Sequence, residues 1–146
     1  MMGGSGGGAD MQIVMNLFAE HTKVRRRVDE LPNGVRTFTE SDDPHVASLL
    51  QAHVASMYQR VNHGNVFAMM SRTLPTLFRN AKRYDRSFTI TPHGVAVTET
   101  SRDPMMVAVI RAHAKEVSGF VTEGMPAMMN GMMDGGMMGG GGMMGQ

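Results

Sequence analysis

Two histidines and a methionine are the first residues here whose types and spacing could do chemistry. His53 stands four positions before Met57 in LLQAHVASM, and His113 stands in the related stretch VIRAHA. On a helix, positions four apart share one face a turn from each other. Two imidazoles and a thioether converging in apolar surroundings would suit a soft or intermediate transition metal. The two imidazoles could equally serve as axial ligands of a non-covalent haem. The plainer alternative is a core histidine bonded to a nearby acceptor, with Met57 as packing.

A second group of soft donors lies at the C-terminal end. Residues 124–146 hold nine methionines, eight of them in four adjacent pairs: Met128 and Met129, Met132 and Met133, Met137 and Met138, Met143 and Met144. Thioether sulfur is uncharged, needs no deprotonation and prefers Cu(I) to hard ions such as Mg2+ or Ca2+. Glycine between the pairs supplies flexibility, so the segment reads as a disordered arm that could collect copper. A low-complexity tail, or an adaptable methionine surface for a partner, would have the same composition. The chain has no cysteine, which excludes zinc–cysteine sites, iron–sulfur clusters, covalent haem attachment and disulfides.

The elements that must hold these residues emerge from an internal repeat. With an offset of 60, residues 15–64 fall on residues 75–124 without a gap, and thirteen of the fifty pairs are identical. Chance would give about three. The identical pairs include Arg26/Arg86, Gly34/Gly94, Ser41/Ser101, Asp43/Asp103, Pro44/Pro104 and His53/His113. The spacing therefore predicts a duplicated supersecondary unit.

Within the second unit, SFTITPHGVAVTET alternates around Pro92-His93-Gly94 as a hairpin does. Asp103-Pro104 then supplies a preferred N-cap and a preferred first helical position. The first unit follows the same plan from Asp43-Pro44. Its segment 24–31, VRRRVDEL, could be a strand by analogy or could continue the helix expected from Gln12. Tandem helix–hairpin–helix units predict an α+β domain, with a four-stranded antiparallel sheet, packed helices and pseudo-two-fold symmetry. The expected organisation is a flexible Gly-rich segment over residues 1–10, one domain over 11–124 and a disordered tail over 125–146.

On the wheel, the first long helix centres its apolar stripe on Val46, Leu50, His53, Met57 and Val61. The second centres on Met106, Ile110, His113, Val117 and Val121. Both histidines thus point at the shared interior. His21, His45, His63 and His93 fall where solvated residues are expected.

Net charge is +1 with signs mixed, so nothing marks a nucleic-acid footprint. The basic run 23–27 is followed at once by Asp29 and Glu30, which reads as solvated surface. No run of 18 apolar residues would span a membrane. Ser41, Ser101, Asp42, Asp43 and Asp103 are explained by turns and caps, and no phosphate loop or carboxylate pair calls for catalysis.

The pattern formed by GVRTFTESDDP and GVAVTETSRDP, each followed by a helix with an Ala-His pair, resembles a family of exported bacterial proteins with no assigned reaction. The resemblance covers residues 11–124 and implies export. Localisation in the periplasm or beyond is expected, or in the cytoplasm if no leader was removed. Together these features predict a non-enzymatic protein that binds or transfers a transition metal, copper first, to or from a metal-trafficking partner. A haem-binding or electron-transfer module is the alternative. A ligand-free domain that dimerises through its helices is the third.

Overall fold

The computed structural model describes residues 5–62 and 71–129. Its elements are α1 (Ser5–Ala19), β1 (Val24–Leu31), β2 (Gly34–Ser41), α2 (Pro44–Asn62), α3 (Leu74–Arg79), β3 (Asp85–Thr91), β4 (Gly94–Thr100) and α4 (Pro104–Glu123), with one-turn 3-10 helices at His21–Lys23 and Ala81–Arg83. This is an α+β fold with a four-stranded antiparallel sheet in the order β1-β2-β4-β3. The helices cover one face of the sheet.

Segment 24–31 is strand, not helix, and it pairs along its whole length with β2. At the N-terminus the expected flexible segment is corrected: residues 5–10 belong to α1. At the other end, residues 125–129 are helical and Met128 is buried. The disordered tail expected from residue 125 therefore does not begin there, because Met128 finds an apolar place to pack. Residues 1–4 and 130–146 of the expected flexible ends lie outside the described residues.

The central strands approach closely at their glycines. A side chain on Gly34 would strike the Glu99 carbonyl oxygen, and one on Gly94 would strike that of Thr39. Beyond the paired residues, Ser41 N donates to His93 O at 2.8 Å and Ser101 N to Asn33 O at 2.9 Å. Both long helices start in the same way. Asp43 Oδ1 accepts from His45 N and Asp103 Oδ1 from Met105 N, each at 2.9 Å. Ser41 and Ser101 hydroxyls accept from the backbone N–H of Asp43 and Asp103. These caps set the angle at which α2 and α4 leave the sheet.

Among the described residues the core forms two clusters. Val35, Leu77, Tyr84, Met106, Ile110 and Ala114 make one; Val14, Phe18 and Met128 make the other, with Phe120 and Met125 against it. Residues from both line a cavity between the sheet and the helices. Among the described residues, no helix is long and apolar enough to cross a membrane.

Candidate functional site

The cavity has a volume of about 240 Å³, and its walls are mostly apolar. Its roof comes from the two long helices and contributes His53 and Met57 from α2 and His113 from α4. The three residues that the sequence nominates for an inner site therefore share one interior. Helical periodicity explains this, since the apolar stripe carrying each histidine must face the sheet.

His113 is held by a chain of hydrogen bonds. Its Nδ1 lies 2.7 Å from Thr73 Oγ1, and Thr73 Oγ1 in turn lies 2.7 Å from Glu116 Oε1. Glu116 also accepts from Ser71 Oγ at 2.5 Å and from Arg72 N at 2.8 Å, and its side chain is only 6% exposed. Burial opposes ionisation of Glu116, but the neighbouring His113 and the donors on Ser71, Arg72 and Thr73 outweigh it and hold the carboxyl at about 2. An ionised Glu116 can only accept, so the single Thr73 proton goes to it. Thr73 must then accept from His113 Nδ1–H. In the neutral ring this leaves the lone pair on Nε2. Such an arrangement fixes the tautomer of a metal-binding or hydrogen-bond-accepting imidazole.

The floor of the cavity is the sheet, and its charged groups are Arg26, Arg86 and Glu99. Arg26 was expected on a solvated basic surface with its neighbours. Strand alternation corrects this: Arg25 and Arg27 are exposed, while Arg26 turns inward. Its Nε donates to Ser118 Oγ at 2.9 Å, Nη1 to Thr39 Oγ1 at 2.7 Å and Nη2 to Ala114 O at 3.3 Å. Burial brings its pKa down to about 10, against the opposing pull of Glu99.

Arg86, on β3, also lines the cavity and stands opposite Glu99 of β4 in the strand register. Its guanidinium lies 5.2 Å from the Tyr84 ring centre, and Nη1 donates to Ala81 O. Burial pushes the Glu99 carboxyl up, while His113, Arg26 and Arg86 pull it down by less. Burial and then Glu99 push the Tyr84 phenol up to about 12. One sequence signal could have found this floor: Arg26 and Arg86 are among the thirteen identical pairs. The counterpart of Glu99 is Thr39, so two guanidiniums face one carboxylate.

The other histidines are placed as follows. His45 and His93 are exposed. His21 is corrected from a solvated position: it is half-buried, lines the cavity and donates from Nδ1 to Val121 O at 2.8 Å. His63 lies outside the described residues.

Of the tail methionines, Met128 packs on Val14 and Phe18, and Met129 is 52% exposed. Met132, Met133, Met137, Met138, Met143 and Met144 lie outside the described residues. Among the described residues, no group of three or more His, Cys, Asp or Glu side chains is arranged to hold a metal. An inner metal site would therefore rest on two imidazoles and a thioether.

No family model matches this sequence, and no curated protein or solved structure is significantly similar to it.

Proposed function

We propose that this chain is a non-enzymatic copper-binding protein that holds Cu(I) through His53, Met57 and His113 and exchanges it with a metal-trafficking partner. One observation carries the reading: donors from two helices line the same cavity, with His113 Nδ1 engaged so that Nε2 is the nitrogen left to bind. Two imidazoles and a thioether in apolar surroundings are a donor set for soft Cu(I), not for Mg2+ or Ca2+. The three methionine pairs beyond residue 130 serve as a collecting arm. An exported location agrees with a chain that uses Met and His in place of thiolate. Doubling of an ancestral unit that paired with itself would account for the matched histidines.

Copper is preferred to haem on size. A cavity of about 240 Å³ is smaller than the roughly 300–1,000 Å³ pockets that enclose drug-sized ligands, and haem is larger than those.

The test is an anaerobic titration of the full chain with Cu(I) in competition with a chromogenic chelator. The wild type should withdraw Cu(I), and His113→Ala should weaken the tightest site by tenfold or more. Equal competition by wild type, His53→Ala and His113→Ala would remove the inner site.

A further inference from the structure

One metal ion fills little of the cavity, and the floor differs in chemistry from the roof. Arg26, Arg86 and Glu99 stand on the sheet, whereas the proposed metal donors come from the helices above. We propose that the cavity also binds a small monocarboxylic acid with an aryl or medium-chain alkyl body, its carboxylate on the Arg86 side of the floor and its hydrocarbon against the apolar walls.

Three observations converge on that class. The volume sets the size: a dry cavity of about 150 Å³ accommodates benzene, and drug-sized molecules need about 300 Å³ or more. At about 240 Å³ the occupant has roughly eight to twelve non-hydrogen atoms. The walls set the body: Val54, Val97, Val117 and Phe120 are among the lining side chains, so most of the occupant is hydrocarbon.

The charges set the head group. Two guanidiniums oppose a single carboxylate, and Glu99 lies under burial that disfavours its ionised form. The floor thus carries excess positive charge in low dielectric, where an anion gains most. An amine would instead meet two arginines. The hydroxyl of Tyr58 is already committed to Ser87 O at 3.1 Å, so it does not compete for the head group.

The test uses the full chain stripped of metal, so it does not depend on copper binding. Calorimetric titrations with octanoate and phenylacetate are compared with octan-1-ol and octylamine. Wild-type protein should bind the acids about tenfold or more tightly than the alcohol, and the amine more weakly still. In Arg86→Met the preference for acid over alcohol should fall towards parity while the alcohol still binds. In Val117→Phe, with helical circular dichroism preserved, both should be lost because the space is filled. Equal binding of acid and alcohol by the wild type overturns the proposal. Preference for the amine, or no binding by folded wild-type protein, does the same. Acid binding that survives His113→Ala while Cu(I) retention is lost would separate this site from the metal reading.

Discussion

Thr73 Oγ1 stands 2.7 Å from His113 Nδ1, and the same hydroxyl reaches Glu116 Oε1 at 2.7 Å. One residue from the connection ahead of α3 thus engages Nδ1 of a helix histidine. Thr73→Val keeps the shape and removes the hydroxyl. It should weaken Cu(I) retention by about 10–100-fold, as loss of an outer hydrogen bond to a ligating histidine does. The cost in stability should be about 1 kcal/mol. Nitrogen chemical shifts of His113 should show a fixed Nδ1–H tautomer in the wild type and a mixture in the variant. An unchanged tautomer would mean that Thr73 does not control the ring.

Glu116 should leave an acid limb in the stability profile. Its folded pKa is held at about 2, below the ordinary value of 4.5. A depressed carboxyl contributes stability that is complete above the unfolded pKa and is lost as pH falls towards the folded one. Melting temperature in the wild type should therefore decline between about pH 4.5 and pH 2, and Glu116→Gln should flatten that part of the curve. Parallel profiles for the two proteins would refute the assignment.

Glu99 should behave in the opposite sense. Its folded pKa is raised chiefly by burial, so the folded state binds its proton more tightly than the unfolded state does. Stability then grows as pH falls through the folded pKa towards the ordinary value of 4.5, and the ionised form is a cost at higher pH. Glu99→Gln should melt higher than wild type at pH 8, with the gap narrowing on acidification. A lower melting temperature at pH 8 would show that Arg26 and Arg86 more than compensate for burial.

Gly34 and Gly94 should be equally intolerant. Each sits where β2 and β4 meet, and a methyl group would strike a carbonyl oxygen of the facing strand. The clash is with backbone, so no rotamer change relieves it. Gly34→Ala and Gly94→Ala should each cost more than about 3 kcal/mol or prevent folding. Chemical denaturation measures this, and tolerance at either position would mean that the central strands can separate locally.

Much of this fold is written in turn chemistry and periodicity. The Asp-Pro starts of α2 and α4, the hairpin at Pro92-His93 and the apolar stripes through His53 and His113 are local signals, and local signals survive without knowledge of packing. Segment 24–31 was ambiguous because VRRRVDEL alternates only weakly; pairing with β2 decides it. The cavity floor was hidden for a related reason. A charged residue in a strand looks solvated until the register shows which face it occupies, and Arg26 faces in while Arg25 and Arg27 face out. Glu99 lacks even the hint of a repeated counterpart. In the sequence Met128 looks like part of a tail because its partners, Val14 and Phe18, lie more than a hundred residues away.

Truncations should divide the C-terminal end into two functions. Met128 is buried against Val14 and Phe18, with Met125 and Phe120 alongside, while Gly124 turns the chain at φ 72° beside His21. The described helical turn at residues 125–129 therefore belongs to the folded body. Deleting 130–146 removes three of the four methionine pairs and none of these contacts. Deleting 125–146 also strips the cover from Val14 and Phe18. The shorter deletion should lower Cu(I) stoichiometry and leave the melting temperature unchanged. The longer one should in addition destabilise by about 2–3 kcal/mol, in line with loss of a buried methionine. Copper titration and thermal unfolding of the three chains provide the check. Equal stoichiometry in all three would leave the methionine pairs without a role in metal capture. Equal stability would show that the packing of Met128 contributes nothing to the fold.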